Sequence, residues 1–305
     1  LSSFGILFNR EMCERRDIAP PTSWADLAAP RFYGWIGLAN PAQSGSNQRC
    51  LQIILQKHGW DAGWAIILRM LANARGLVDR SSDAVEQVQS GIFLASCAIN
   101  FQGERAAALG GEAIAYLNPR EASAVSPDVI SVLKCAPEPE LAERFVRFCL
   151  SEEGQKLWGV RAAGSDSNHY TLFHYPIDPR IYTRFADRLA LNENPLETNF
   201  GLVLDLKDAE PRDALLVAVV NAACGENHVL LQRAWQALIQ AGLPVEALAE
   251  LTAPPFEQEA AEKHGRRLVS AGRTAAADLQ REWSSAFKNR YEKVLQKAGA
   301  QAAAR

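Results

Sequence analysis

Residues 35–58, WIGLANPAQSGSNQRCLQIILQKH, contain the unit on which the interpretation of this chain rests. Residues 35–39 are short and apolar and predict a strand. Residues 40–47 are polar and small, with a proline near their start, and they predict a turn. Residues 44–58 then place apolar side chains on one helical face, and Gly59 predicts the end of that helix. Strand, polar turn and helix in this order form the repeating unit of α/β proteins.

The same alternation extends over residues 1–134. Residues 1–8, 92–99 and 113–117 read as further strands, and amphipathic segments lie between them. Ser23 and Asp26 predict a capping box, and residues 81–83 predict the cap of another helix. A short helix is predicted from Glu104, and Ser123 to Lys134 reads as extended. This order predicts an α/β sheet with helices on both faces. Beyond it, Pro139 begins a strong helix, and the chain is almost wholly helical from residue 211 onward.

Bulk properties exclude several kinds of partner. The chain has 305 residues, 48% of them hydrophobic, so a large core is expected. Its net charge of −3 predicts that nucleic acid is not a partner. No apolar run reaches the roughly 18 residues of a membrane helix.

The six cysteines form no CxxC motif, and apolar surroundings favour buried thiols for five of them. The chain opens directly on an apolar run, which suggests that preceding residues are missing.

The polar turn allows two interpretations. Ser44 and Ser46 are good N-cap residues, which require no ligand. Alternatively, Ser44 to Asn47 form a cradle for an anion or a polar headgroup, because N–H groups in the first helical turn lack intrahelical partners. Gly45 would let such a ligand approach closely.

A second polar segment, Asn100-Phe101-Gln102, follows the buried run 92–99. It is either an ordinary loop between a strand and a helix or a ligand contact at the carboxyl end of the sheet. The sequence contains no catalytic motif and no carboxylate pair suited to acid–base work, and its five histidines lack metal-ligand spacing. We therefore expect no enzyme activity, no metal and no cofactor.

Three longer stretches resemble bacterial extracellular solute-binding proteins of family 1, and most closely their iron(III)-type branch. They are PTSWADLAAPRFYGWIGLANPAQSGS (residues 21–46), QSGIFLASCAINFQG (89–103) and SPDVISVLKCAPEPELAERFVRFCLSEEGQKLW (126–158). They occur in the order and at the spacing of the family, and the third is the most specific. The resemblance covers about residues 1–160.

The resemblance implies a two-lobed, periplasmic-binding-protein-like α/β fold with a ligand cleft between the lobes. Residues 1–10 would be a hinge strand and residues 11–120 the distal lobe. Residues 121–305 would be the remainder of the first lobe with an extra helical C-terminal region. The first half of the N-terminal lobe would be absent from this sequence.

The family's Ser-Gly-Ser/Thr loop is a ligand contact, so the resemblance implies a ligand-binding role for Gln43, Ser44, Gly45, Ser46 and Asn47. It extends this role to Ser3 in the hinge strand and to Asn100, Phe101 and Gln102. Iron-binding members carry adjacent tyrosines where this chain has Phe101 and Gln102, which cannot supply an anionic oxygen. A polar or anionic organic solute is therefore expected in preference to ferric ion.

The predicted function is capture of a small solute, without chemical change, by the extracytoplasmic component of an ABC importer. Its partners would be the solute and the membrane permease, and the protein would be a monomer. The predicted location is periplasmic or extracellular, with a lipid anchor as an option. The alternatives are a ligand-sensing domain of a signalling protein, a ferric-ion-binding protein, and an enzyme built on the same fold.

Overall fold

The computed structural model describes residues 1–120, 122–164, 167–191, 193–270 and 272–303, so the predicted boundary at residue 121 lies outside the described residues. The strands within these ranges are β1 Ser2–Asn9, β2 Ile36–Ala39, β3 Ala74–Val78, β4 Ala95–Ile99, β5 Ile114–Leu117, β6 Ser123–Ser126 and β7 Gly201–Leu202. The α-helices are α1 Arg10–Arg15, α2 Trp24–Leu27, α3 Gly45–His58, α4 Trp60–Asn73, α5 Ser81–Gln89, α6 Asn100–Gly110, α7 Pro139–Leu150, α8 Glu152–Gly159, α9 Ser167–Tyr170, α10 Pro179–Arg184, α11 Ala209–Cys224, α12 His228–Gln240, α13 Val245–Thr252, α14 Gln258–Ser270 and α15 Arg273–Ala303. Short 3-10 helices occupy Pro30–Phe32, Gly111–Ala113 and Ala186–Arg188.

The strands form one mixed sheet in the order β3-β2-β4-β1-β6-β7, and β5 also pairs with β1. β2 runs parallel to both β3 and β4. β1 runs antiparallel to β4, β5 and β6, which makes it the most extensively paired strand. The α/β fold class predicted from the alternation of strands and helices is confirmed.

Helices cover both faces of this sheet, as the alternation in β1 shows. Phe4, Ile6 and Phe8 point into the main core, which also contains the buried side chains of α3 and α4. Leu7 points to the opposite face, where Val88 of α5 and other apolar side chains form a second cluster. Because successive strand residues point to opposite faces, one apolar strand supports both layers.

The helical C-terminal region docks on α4. The indole Nε1 of Trp235 in α12 donates to Oδ1 of Asn73 at 2.6 Å, and the side chains of α12 and α15 complete the main core. The sequence assigns this region and α4 to different lobes, whereas here they share one core. Among the described residues, no single helix has the length and hydropathy to cross a membrane; α11 and α12 pass that test only together, and a 70° bend separates them.

Several local predictions are corrected. The helix predicted from Glu104 begins at Asn100, directly after β4, so no loop separates them. Residues 81–83 were expected to cap α5, but Arg80 occupies its N-cap position and no side chain caps it. The extended region predicted from Ser123 to Lys134 is a strand only as far as Ser126. Strand β3 had no sequence prediction.

The cysteines also differ in part from expectation. Cys13, Cys50, Cys97 and Cys224 are buried, but Cys149 is half-buried and Cys135 is exposed. The structure therefore has four buried thiols, one fewer than the sequence predicted.

The described residues between 123 and 208 form a smaller core than the residues before them. Phe173, Tyr175, Leu191 and Phe200 form a small cluster against Phe101 of α6. Helix α7 buries none of its residues, although its apolar side chains share one face. The exposed apolar residues of α7 are Leu141, Phe145, Phe148 and Leu150.

Candidate ligand-binding site

Three helices begin at one edge of the sheet. The parallel strands β2, β3 and β4 end there, and α3, α5 and α6 follow them. Ala39 at the end of β2 lies beside Val78 at the end of β3, and the backbone N–H of Asn40 donates to the carbonyl of Val78 at 2.8 Å. Unpaired N–H groups and positive dipole ends therefore collect along this edge, which favours a negative group.

The predicted cradle forms the first turn of α3. Ser44 is its N-cap, is 5% exposed, and accepts a hydrogen bond on Oγ from the backbone N–H of Asn47 at 3.3 Å. The hydroxyls of Ser44 and Ser46 lie 3.2 Å apart. Capping by Ser44 is thus confirmed, and the backbone N–H groups of Gly45 and Ser46 remain the first-turn donors without intrahelical acceptors.

The loop in front of this helix is held by Asn40. Its side-chain Oδ1 accepts from the N–H of Ala42 at 2.9 Å, and its carbonyl accepts from the N–H groups of Gln43 and Ser44. Gln43 itself is exposed. A Cβ added at Gly45 would meet no atom within 4 Å, so the space above the first turn is open. A ligand can therefore reach the backbone of Gly45 without displacing a side chain.

Asn47 joins the cradle to the sheet. It is 2% exposed, and its Oδ1 accepts from the N–H of Ala39 at 3.1 Å. Its Nδ2 is buried and has no hydrogen-bond partner among the described residues. An unpaired buried donor costs about 1–3 kcal/mol, so this amide can gain from an acceptor that reaches it.

The structure brings Ser3 and Asn100 into direct contact. Asn100 is fully buried; its Oδ1 accepts from the N–H of Ser3 at 3.0 Å, and its Nδ2 donates to the carbonyl of Phe173 at 3.2 Å. The hydroxyl of Ser3 donates to Oδ1 of Asn118 at 3.0 Å. In this arrangement both side chains hold β1, α6 and residue 173 together.

The two residues after Asn100 behave differently from each other. The ring of Phe101 stacks on the imidazole of His174, with centroids 4.2 Å apart and an interplanar angle of 19°. Burial lowers the pKa of His174, which favours a neutral ring at this contact. Gln102 keeps a buried Oε1 that has no hydrogen-bond partner among the described residues.

Sequence reasoning missed the third helix start at this edge. The exposed side chain of Arg80 directly precedes α5, with Asp79 before it and Asp83 in the first turn. The run Arg80-Ser81-Ser82 was a usable signal, because it joins a cation to two hydroxyls. It was read only as a helix cap.

Sequence reasoning also missed a carboxylate pair. Glu104 and Glu193 line a cavity of about 260 Å³ together with Tyr175. Glu193 accepts hydrogen bonds from the hydroxyl of Tyr175 at 3.0 Å and from Nδ2 of Asn118 at 3.1 Å. Burial, together with repulsion from Glu193, raises the pKa of Glu104 to about 7. The two glutamates are too far apart in sequence for any local pattern to join them.

A larger cavity of about 720 Å³ lies away from this edge, between α3, α4 and the C-terminal helices. Its walls include Trp60, Trp64 and Leu215, and the arginines at its rim are paired with carboxylates, Arg212 with Asp205 and Arg266 with Glu262. The predicted ligand residues do not line it. Among the described residues, no group of three or more His, Cys, Asp or Glu side chains could hold a metal ion.

A family model described as "Bacterial extracellular solute-binding protein" matches residues 1–164, which is more than half of the chain. The chain belongs to this family. The resemblance stated from the sequence is confirmed, and the periplasmic or extracellular location follows from it. Family membership also establishes a solute-binding role at the level of the family.

Individual relatives show how far the similarity extends. The phosphoglycerate transport regulatory protein PgtC of Salmonella typhimurium is 27% identical; the match covers 97% of this chain and 72% of PgtC. A Bordetella parapertussis protein of the extracellular solute-binding class has a similar fold, with a TM-score of 0.54 and 17% identity, over 72% of this chain. The apo ferric ion-binding protein A of Pasteurella haemolytica has a TM-score of 0.51 and 16% identity, over the same share.

The matched part of this solute-binding sequence spans 65% of the Bordetella protein and 66% of the Pasteurella protein. At such identities the structural likeness shows the periplasmic-binding-protein fold.

Proposed function

We propose that this chain captures a small polar or anionic solute, without changing it chemically, as the extracytoplasmic component of an ABC importer. The observation that carries the proposal is the convergence of the α3, α5 and α6 N-termini at one sheet edge, with open space above Gly45. Membership of a solute-binding family supports it.

The chemistry of this edge favours an anion over a metal cation. The donors at α3 are backbone N–H groups and the hydroxyls of Ser44 and Ser46, and Arg80 adds a cation beside α5. The aromatic side chain at Phe101 and the amide at Gln102 offer no phenolate for ferric ion. We therefore place Gln43 to Asn47 in direct contact with the solute, and Ser3, Asn100, Phe101 and Gln102 in the wall behind it.

The relative PgtC is named for phosphoglycerate transport, and 72% of its length is matched here. A phosphorylated three-carbon acid carries two anionic groups, which several helix N-termini at one edge could share. We propose 3-phosphoglycerate as the first solute to test.

Closure of two lobes around the solute completes the proposal. β1 would act as a hinge strand between a lobe of residues 11–120 and a lobe that begins near residue 121. Because helices α11–α15 share a core with α4, the part of the second lobe that closes would lie between β6 and α11. The solute would shift the open–closed equilibrium, and the membrane permease of the importer would recognise the closed form. The binding unit would be a monomer, with or without a lipid anchor.

Titration calorimetry with 3-phosphoglycerate tests the cradle, with glycerate and inorganic phosphate as comparison ligands. We expect Ser46→Ala to bind at least 10-fold more weakly, since a hydrogen bond to a charged group is worth about 1.5–3 kcal/mol. Gly45→Ala should also bind more weakly, because its Cβ would occupy the open space through which the solute reaches the backbone N–H groups. Gly299→Ala in α15 is the matched control, because its added Cβ also meets nothing within 4 Å. No binding of any of the three ligands by the unmodified protein, or unchanged affinity in Gly45→Ala, would refute the proposal.

A sensing role is the second candidate, because PgtC is named as a regulatory protein. The same cradle would bind the solute, but its closed form would signal to a membrane receptor. Measuring uptake of the solute in cells that lack the gene separates the two roles. An importer component is needed for uptake itself, whereas a sensor is dispensable once the transport genes are expressed from an independent promoter.

A further inference from the structure

The larger cavity, of about 720 Å³, lies apart from the candidate site and has the size of a small-molecule pocket. Its walls come from the C-terminal half of α3, the first turns of α4 and the helices α11 and α14. Pockets that hold small ligands usually measure about 300–1,000 Å³. The part of α3 that lines it begins at Gln52, beyond the Ser44–Asn47 cradle, so the two sites share a helix but no residue.

The interior of this cavity is apolar and partly aromatic. Leu55 of α3, Trp60 and Trp64 of α4, and Leu215 and Leu216 of α11 lie in its walls. The two indoles meet edge to face, with ring centroids 5.7 Å apart and an interplanar angle of 76°. Such walls favour a ligand with an apolar body, because they gain from every apolar group removed from water.

One polar group in these walls is left without a partner. Nε1 of Trp60 donates to the carbonyl of Phe256 at 2.8 Å. Trp64 is fully buried, and its Nε1 has no acceptor in the part of the chain that the structure describes. Buried polar groups are almost always hydrogen-bonded, so an unpaired donor beside a cavity calls for an explanation. An acceptor oxygen on a bound molecule would supply it.

The charges around the cavity balance one another. Acidic and basic side chains line it in equal number: Asp205, Asp208 and Glu262 against Lys207, Arg212 and Arg266. Arg212 pairs with Asp205 and Arg266 pairs with Glu262, each at 2.6 Å. A charged ligand would compete with these ion pairs, so the rim favours a neutral one.

The amides that α3 contributes to the lining are engaged as well. Gln56 donates to the carbonyl of Val203 at 2.6 Å and accepts from the N–H of Asp205 at 3.2 Å. Nε2 of Gln52 donates to the carboxylate of Asp213. A molecule with many hydroxyls would have to break these bonds, whereas a molecule with one acceptor would not.

We propose that this cavity is a second ligand site, for a neutral molecule with an apolar body and a carbonyl oxygen that accepts from Nε1 of Trp64. The ligand would lie between α3 and α4 on one side and α11 and α14 on the other. Its binding would hold the helical C-terminal region more firmly against α3 and α4. The proposal is independent of the solute that the cradle binds.

Two-dimensional ¹H–¹⁵N NMR of the whole chain tests the proposal, with acetophenone as the probe because it is a neutral ketone on an aromatic ring. The chain has seven tryptophans, and each gives one indole N–H signal. Acetophenone should move the Trp64 signal with a Kd of about 1 mM, as expected for a ligand of this size. The signal of Trp24, whose Nε1 donates to the carbonyl of Ala122 at 2.6 Å, should stay in place. A Trp64 signal that does not move at about 10 mM acetophenone would overturn the proposal.

Ethylbenzene, which has no oxygen, separates the hydrogen bond from apolar packing. Trp64→Phe keeps an aromatic wall but removes the donor, and binding to this variant is followed through the Trp60 signal. The substitution should weaken acetophenone binding about 2- to 10-fold more than it weakens ethylbenzene binding. Equal losses for the two probes would refute the role of the Trp64 N–H. If Trp64→Phe does not fold, the Trp64 signal is assigned through its own backbone, and its response in the unmodified protein decides.

Ala261→Leu tests the location of the probes. Ala261 of α14 lines the cavity and is 8% exposed, so a longer side chain there would occupy the space of the ligand. This variant should lose the binding of both probes. Ala277→Leu makes the same change at an exposed position of α15 and should bind both probes like the unmodified protein. Binding that persists in Ala261→Leu would place the probes elsewhere and overturn the proposal.

Discussion

The side-chain oxygen of Asn47 accepts the backbone N–H of Ala39 at 3.1 Å, and this bond fastens the first turn of α3 to the last residue of β2. The N–H of Asn47 is in turn capped by Ser44, at 3.3 Å. Strand end, helix cap and cradle are therefore one hydrogen-bonded unit. The candidate site is built on rigid elements, with its exposed donors at Gly45 and Ser46.

Asn47→Ala should destabilise the protein by about 1 kcal/mol, because it leaves the buried N–H of Ala39 without an acceptor and removes a buried side chain, while loss of the unpaired Nδ2 offsets part of this cost. Urea unfolding measures the change. Gln43→Ala, at an exposed position in the same loop, is the control and should alter stability by less than about 0.5 kcal/mol. Equal stability of the two variants would show that the Asn47–Ala39 bond contributes little.

The two serines of the cradle should separate capping from ligand binding. Ser44→Ala removes the cap of α3 and should cost about 1 kcal/mol, whereas Ser44→Asn retains a capping side chain and should restore most of that loss. Ser46→Ala removes only a hydroxyl and should leave stability almost unchanged. Unfolding free energies of the three variants provide the test. A loss in Ser46→Ala as large as that in Ser44→Ala would contradict this division of roles.

Local signals in the sequence predicted several features that depend on neighbouring residues, although the cap predicted at residues 81–83 was wrong. The capping box at Ser23 and Asp26, the cap at Ser44 and the first-turn proline at Pro139 are all present in the structure. The long apolar run of β1 also formed the expected strand. Each of these features is decided by interactions within a few residues, so a pattern in the chain can reveal it.

Features that depend on contacts between distant residues could not be predicted. β3 carries Arg75 and Gly76, a poor strand pattern, and it is a strand because β2 pairs with it. Glu104 and Glu193 come together at one cavity only through the fold. Asn100 was expected to be available to a ligand, yet both of its polar side-chain atoms are engaged by the backbone. Only the three-dimensional arrangement shows which polar groups remain free.

Trp235→Phe tests whether the helical C-terminal region is part of the same folding unit as α4. The substitution keeps most of the buried aromatic area but leaves Oδ1 of Asn73 without its indole donor, which should cost about 1–3 kcal/mol. Urea unfolding should show a single transition, shifted to lower denaturant. Trp158→Phe makes the same chemical change at a half-buried residue away from this contact and should have a smaller effect. Two separate transitions, with only one of them shifted, would show that the C-terminal helices form an independent unit.

Protonated Glu104 should stabilise the folded protein, and this contribution should be lost as the pH rises through the titration of Glu104. Burial, with repulsion from Glu193, raises the pKa of Glu104 from 4.5 to about 7, so between these values the folded protein holds a proton that the unfolded chain has lost. The contribution of Glu104 to the unfolding free energy therefore decreases with rising pH across this interval, by about 1–3 kcal/mol. Burial lowers the pKa of four histidines (His58, His174, His228 and His264), and these act in the opposite direction, so the Glu104 effect is the difference between the unmodified protein and Glu104→Gln. Tyr175 and Tyr116 also lie near Glu104, but burial raises the pKa of both phenols, so both remain neutral in this range.

Glu104→Gln isolates this effect, because an amide of similar shape cannot ionise. The variant should match the unmodified protein near pH 5 and exceed its stability at pH 8, as measured by urea unfolding at both pH values. Glu112→Gln, an exposed position beyond the end of α6, is the matched control and should leave the pH dependence unchanged. If Glu104→Gln loses stability with pH as steeply as the unmodified protein, the Glu104–Glu193 pair is not the cause. If only Glu104→Gln changes how the unfolding free energy depends on pH, the proton is held at the cavity that Glu104, Tyr175 and Glu193 line.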